Sequence, residues 1–479
     1  MQKRILVLAV CCFALFAVFS KPMWAKYLPP DADEFTTDKD SPEESDESAD
    51  DTMPIPTAEK PIEMPKPVVP APASPEATKT AAVTSTNATT EFSNTWQPPD
   101  YSHQDKALGY SETSFAIPNG MQERVRFWTD VYTKYTNDQG LLHDSKYVNL
   151  IYETVDLSDI SNNSVMTPIQ KDRAKKKRVK EAKKTIADRL KNLARVKDAS
   201  ELTGDDLRYW NLFVSIDEKN KFSEAARRGR LRYQAGQKDQ FMRGITQSGR
   251  YLKQMEAIFR EEGLPIELTR LPFVESSFNL NARSKVGASG IWQFMRSAGR
   301  LYLRMDDVCD DRNDPLRATR AAARKLRQEF SMLQTWPLTV TGWNHGAAGI
   351  RRMTERYQSR ELGDLTDQRG HRFGFASANF FASFVAALDV EKNAGKYFGV
   401  LATLPEVKGT DVKLEKELPI AQLLKWFNDD IEVAKLYNPH LRATAWTKQF
   451  RLHRRDYVRV PTDVVAKVNL DLHGAAASN

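Results

Sequence analysis

Residues 26–114 of this 479-residue chain cannot build a core, and that constrains what the remainder can fold into. They are acidic at first, then rich in Pro, Ala, Thr and Ser, as in PIEMPKPVVPAPASPEATKTAAVTSTNATT. Such a segment buries too little apolar surface to offset the entropy of ordering it. It reads as a disordered tether, extended by its prolines. Between Asp31 and Asp51 eleven acids face the single Lys39, so the formal charge of +7 divides into about −10 in the tether and about +17 elsewhere. A basic body calls for an anionic partner: nucleic acid, a membrane surface or an acidic polymer. Overall composition, 41% hydrophobic and 10% aromatic, is that of a globular protein and excludes collagen, mucin and polytopic membrane classes.

The N-terminus selects among those partners. Lys3 and Arg4 precede an apolar run over residues 5–19, and small residues follow at Ser20 and Ala25. That order defines a signal peptide over residues 1–25. Fifteen apolar residues fall short of the roughly 20 that a spanning helix needs, so the reading is removal on export to the periplasm or cell envelope. If retained, the same run would attach the protein to a membrane. Cys11 and Cys12 lie inside the run, with bulky Val10 before them, which argues against lipidation. After cleavage only Cys309 remains, so no internal disulfide can form, and a lone thiol reads as an apolar filler. Export moves nucleic acid off the front of the list, and no nucleic-acid partner is expected.

Ordered sequence begins near Phe115. Val125, Trp128, Val131 and Tyr132 recur at helical spacing, and further helices are expected at about 168–196, 205–213 and 233–262. In the most basic segment, KDRAKKKRVKEAKKTIADRLKNLARVK, Val179, Ala182, Ile186, Leu190 and Leu193 recur every three or four residues. The lysines therefore form the outer face of an amphipathic helix, either merely solvated or attracted to an anionic polymer.

The chemistry concentrates between residues 263 and 400. Glu275 stands amid Phe273, Val274 and Phe278. Apolar surroundings disfavour the carboxylate, so its pKa rises and it keeps its proton near neutrality. A general acid for glycoside cleavage needs that property, because the leaving oxygen must be protonated as the bond breaks. Downstream, Gly287 and Gly290 in GASGIWQFM mark a tight turn or a close backbone approach. Gln293 offers both donor and acceptor. Asp314 and Pro315 open a helix as N-cap and first residue. Trp343, Asn344, His345 and Gly346 close an apolar run, and aromatic with amide side chains in one cleft suit sugar rings.

This ordered set, ESSFN, a serine nine residues after the Glu, GASGIWQFM, DRNDP and WNHG, resembles the lytic murein transglycosylases with a lysozyme-like fold, glycoside hydrolase family 23, and within them the membrane-bound D-type branch. The resemblance covers about residues 250–400. It implies Glu275 as the catalytic acid and then base, with cleavage of the β-1,4 bond between N-acetylmuramic acid and N-acetylglucosamine and closure of a 1,6-anhydromuramyl ring. It further implies that Ser284 contacts the muramyl N-acetyl region, that Gln293 and Met295 line the substrate cleft, and that Trp343 and Asn344 stand beside the acid. The partner would be peptidoglycan glycan strands. No cofactor or metal is expected, since seven histidines are scattered without ligand spacing. The sequence leaves the oligomeric state open.

Departures from the family pattern keep rivals alive. Trp343 stands where the family has Tyr, His345 replaces a small residue, and a later Glu and Tyr of the family become Ala376 and Phe380. They support a catalytically silent peptidoglycan-binding scaffold as one alternative; a hydrolytic muramidase, within the same enzyme class, is the other. C-terminal DVKLEK, PIAQLLKWF, DIEVAKLYNPHL and YVRVPT read as strand, helix, helix, strand and resemble a degenerate LysM module, either a binder of N-acetylglucosamine chains or a packing appendage. The expected architecture is mainly α: signal peptide 1–25, tether 26–114, helical region 115–250, lysozyme-like lytic domain 251–400 and a small α+β unit 401–465.

Overall fold

A computed structural model describes residues 114–473, apart from 228, 369–372 and 448. The signal peptide and tether expected from the sequence, Cys11 and Cys12 included, lie outside the described residues. Among the described residues no helix is long and apolar enough to cross a membrane.

The N-terminal region opens with α1 (Gln122–Thr133). Next comes a three-stranded antiparallel sheet of β1 (Gln139–Asp144), β2 (Ile151–Asp156) and β3 (Leu231–Ala235), in the order β2-β1-β3. Inserted between β2 and β3 are α2 (Pro168–Leu193) and α3 (Gly204–Leu212). Helix α2 starts on a capping box, Thr167 with Gln170, and has Pro168 in its first turn. Of its apolar positions Ile186, Leu190 and Leu193 are buried, meeting Leu142, Tyr152, Tyr209 and Phe213 in one core.

Sequence periodicity had pointed to one helix over 233–262, and the structure corrects this. Leu231–Ala235 pairs with β1, Leu142 opposite Tyr233, before the chain turns into α4 (Lys238–Ser248) and α5 (Leu252–Glu261). Gly249 stands between the two helices, where a Cβ would sit 2.5 Å from the Leu404 carbonyl oxygen, so the position is held by glycine. The region from 115 to 250 is thus a mixed sheet-and-helix body.

Residues 251–400 surround α10 (Phe375–Lys392), whose residues from Phe375 to Val390 are all buried. Its Phe- and Ala-rich sequence has no polar face, which is the signature of a central helix. Around it pack α1, α6 (Leu271–Ser276) and α8 (Trp336–His345). Phe115 lies edge-on to Phe384 at 5.5 Å, and Arg124 Nη1 donates to Asn379 Oδ1 at 3.2 Å, so the N-terminal segment is built into this core. Helix α7 (Pro315–Leu333) begins on the Asp314 carboxylate, which accepts from the Leu316 and Arg317 amides at 2.9 Å. Helix α9 (Ala347–Tyr357) follows the α8 C-cap at Gly346, φ +95°.

In the C-terminal unit β4 (Gly409–Lys413) pairs antiparallel with β5 (Tyr457–Pro461), and α11 (Ile420–Lys425) and α12 (Ile431–Tyr437) lie between them in sequence. Its core takes in Val308 and Cys309 from the preceding region. Ion pairs of Arg459 with Asp314 at 3.0 Å, Arg304 with Asp456 at 2.6 Å and Arg442 with Asp310 at 3.3 Å hold the junction. Cys309 is the filler expected of it, and burial pushes its thiol up to about 12. Within residues 436–441, Asn438 is turned inward, its amide spanning the Ala434 and Arg459 backbones, and His440 contacts the Tyr457 carbonyl at 3.0 Å.

Candidate active site

Glu275 is the penultimate residue of α6, a short helix with Pro272 in its first turn. The helix stops because Ser277 and Phe278 take left-handed conformations, φ +51° and +54°. Two consecutive non-glycine residues there cost on the order of 1–2 kcal/mol each. Neighbouring contacts compensate. The Ser277 and Phe278 amides donate back to Phe273 and Pro272 carbonyls at 3.2 Å, and the Phe278 ring packs on Phe273 at 4.6 Å. Ser276 Oγ donates to the Ile291 carbonyl at 2.9 Å, tying the helix end to the next loop.

The loop over residues 282–294 carries the predicted turn chemistry. Gly290 has φ +77°, and a Cβ on it would sit 1.8 Å from the Arg312 carbonyl oxygen, so only glycine fits. Gly287, φ +89°, has open space around it and serves the turn alone. Ser284 Oγ accepts from the Ala288 amide at 2.8 Å, closing that turn. Gln293 is fully buried in a left-handed conformation, and its Nε2 donates to the Ala282 and Gly290 carbonyls at 3.0 and 2.8 Å. Both side chains thus hold the loop in shape. Arg312 reaches in from before α7 to the carbonyls of Gly287 and Phe294, at 2.7 and 3.0 Å. Met295 is half-buried at the start of a helical turn, Arg296–Gly299.

The carboxyl of Glu275 is 1% exposed. Trp343 Nε1 donates to its Oε1 at 2.8 Å, and Oε2 has no hydrogen-bond partner among the described residues. Burial raises the pKa to about 8, against the opposing pull of the Trp343 hydrogen bond and the Lys325 charge. The Lys325 ammonium lies over the Trp343 ring at 4.2 Å and pairs with Glu329 at 2.7 Å. Trp292 and Phe294 flank the indole, with centroids 5.7 and 5.3 Å away. The indole that departs from the family's Tyr is therefore the donor to the acid. Asn344 points elsewhere: its Oδ1 accepts from Ser377 Oγ at 3.1 Å, and His345 Nδ1 meets the same hydroxyl at 3.2 Å. Burial and the Arg352 charge depress the His345 pKa, so its ring is neutral at pH 7. Ala376 and Phe380 are buried in α10 and bring no polar group to Glu275.

Three features near the acid have no counterpart in the sequence reading. Tyr132 of α1 is buried against Phe241 at 4.9 Å, and the Glu275 charge adds to burial in raising its pKa. Lys325 supplies the positive charge above Trp343. A cavity of about 440 Å³ opens beside Glu275, lined on one side by residues 274–281 and on the other by Gln237, Gln240, Arg243, Gln247 and Arg250. The last four recur every three or four residues, a polar stripe legible in sequence, but nothing local aims it at a residue in another helix.

Fold and site together define a class: residues 255–364 match the Transglycosylase SLT domain, and the region has a lysozyme-like, mainly α fold. A particular relative can be named as well. The chain is 27% identical over 188 residues to the membrane-bound lytic murein transglycosylase D of Escherichia coli K12, and equally so to the protein of that name from E. coli O6:H1. The match covers 39% of this chain and 41% of each relative, so the chain spans about two fifths of the length of these relatives.

Proposed function

We propose that this chain is a peptidoglycan lytic transglycosylase that cleaves the β-1,4 bond between N-acetylmuramic acid and N-acetylglucosamine. The observation that carries the reading is the state of Glu275, buried, raised to about 8 and given a single hydrogen-bond donor. At pH 7 such a carboxyl holds its proton and can deliver it to the glycosidic oxygen as the bond to muramyl C1 breaks. The Trp343 N–H then stabilises the carboxylate that remains. That carboxylate takes the proton of the muramyl 6-hydroxyl while O6 bonds to C1, giving the 1,6-anhydro product. Glu275 ends protonated, and no water is consumed.

The makeup of the cavity supports this course over hydrolysis. Glu275 is the sole carboxyl among its lining residues, whereas hydrolysing glycosidases use two, about 5–9.5 Å apart. Ser284, Gln293 and Met295 would act through the loop that Ser276 ties to the end of α6, and Asn344 through the Ser377 and His345 cluster. The relatives are membrane-bound by name, and we extend an envelope location to this chain. Digestion of purified sacculi tests the proposal. Wild-type protein releases soluble muropeptides, and Glu275→Gln lowers the rate by at least about 100-fold, the span of general acid catalysis. Undiminished release by the variant would remove Glu275 from the chemistry.

A further inference from the structure

The cavity beside Glu275 has a wall that the SLT match does not reach, since α4 precedes residue 255. Gln240, Arg243, Gln247 and Arg250 follow one another at three, four and three residues, so they share one side of α4 and its C-terminal extension. Two contacts set this stripe rigidly against the acid. Gly244 approaches so closely that a Cβ would lie 3.0 Å from the Ser277 carbonyl oxygen, and Phe241 stacks on Phe273 at 4.9 Å. Stripe and acid therefore belong to one packed unit.

Among the described residues neither Arg243 nor Arg250 forms an ion pair, while other arginines near the lytic core are committed: Arg270 to Glu256 and Glu391, Arg312 to Asp310, Arg459 to Asp314. With Glu275 protonated at neutral pH, the cavity carries two positive charges and no negative one. The amides of Gln240, Gln247, Asn279 and Asn281 surround them, supplying donors and acceptors for a peptide backbone. About 440 Å³ falls within the range of small-ligand sites.

The substrate can supply the missing charge in only one place. In an intact glycan strand the sugars present hydroxyls and acetamides, and the lactyl carboxyl of each muramyl residue is consumed in the amide bond to its peptide. The remaining carboxylates lie on the peptide stem. We propose that Arg243 and Arg250 form a subsite for a stem carboxylate, which their guanidinium groups bind by paired charge-assisted hydrogen bonds. The site would select stem-bearing over bare glycan next to the acid. This inference rests on the transglycosylase reading for its substrate.

The test compares full-length wild type with the double variant Arg243→Gln, Arg250→Gln on two substrates: stem-bearing glycan strands and the same strands stripped of stems by an amidase, with the lactyl carboxyls so freed blocked as methyl amides. The ratio of kcat/KM for stemmed over bare strands is expected to fall at least tenfold in the double variant, through KM. An Arg243→Lys, Arg250→Lys variant recovers part of it. An unchanged ratio, with both substrates affected equally or not at all, overturns the subsite. A binding arm separates this from failure of the catalytic reading. Full-length Glu275→Gln protein is titrated with a muramyl tetrapeptide and with its carboxyl-amidated form. Tenfold weaker binding of the amidated probe, and of either arginine variant to the free acid, upholds the subsite even if wild type cleaves no glycan. Equal binding of both probes sinks it even if wild type cleaves.

Discussion

Replacing Trp343 with Phe isolates the one hydrogen bond that the candidate acid receives. The phenyl ring keeps contact with Trp292 and Phe294, and it keeps a face for Lys325, but the N–H 2.8 Å from Oε1 is lost. That donor favours the carboxylate over the acid, so its removal adds to the effect of burial. A hydrogen bond to a charged acceptor contributes about 1.5–3 kcal/mol, and one pKa unit corresponds to about 1.4 kcal/mol. The Glu275 pKa should therefore rise from about 8 by roughly one to two units. In a pH profile of kcat/KM for anhydro-product formation, the alkaline limb moves up by that amount. At pH 7 both proteins hold the proton, so the rate difference there reports stabilisation of the carboxylate as it forms. The same 1.5–3 kcal/mol predicts a loss of about 10- to 100-fold in kcat. An alkaline limb that stays in place, or moves down, would refute the reasoning that the indole N–H holds the charged form.

Two further outcomes concern stability. Glu275 is raised in the fold from its ordinary value of 4.5 to about 8, so the stability it allows is fully present below about pH 4.5 and drains as pH rises toward 8. Glu275→Gln removes that dependence: urea melts at pH 5 and pH 8 should show the variant gaining on wild type at about 1.4 kcal/mol per pH unit at most across that window, and equal differences at both pH values would contradict the burial argument. Asp314 is the opposite case, because Arg459, His440 and Arg317 together outweigh burial and hold its pKa below the usual carboxylate range. Its stabilising effect is present above about pH 4 and is lost on acidification. Asp314→Ala removes both the α7 cap and the partner of buried Arg459, for a cost of about 3–5 kcal/mol, read as a lower denaturation midpoint and as earlier proteolysis of the C-terminal unit.

Local rules made part of this site legible. Apolar neighbours around Glu275 point to a raised pKa, and Gly290 and Asp314 announce a close approach and a helix start, whereas Trp343, which reads as a departure, turns out to be the donor to the acid. Long-range pairing was hidden. Leu231–Ala235 is set off from α4 by Gly236 alone, and only the distant Gln139–Asp144 turns it into a strand. Gln293 has the chemistry of a substrate contact, but its neighbours' backbone carbonyls claim its amide hydrogens. Tyr132 and the α4 stripe escaped for the same reason, since both reach Glu275 only through helix packing that no spacing rule encodes.

The central claim is that one buried carboxyl acts as acid and then base without water. Mass analysis of muropeptides from purified sacculi tests it most directly. Wild-type protein should yield fragments ending in 1,6-anhydromuramic acid, with no oxygen incorporated when the digest is run in ¹⁸O-labelled water, and Glu275→Gln should yield neither kind of end. Reducing muramic acid ends carrying the label would establish hydrolysis and contradict the account.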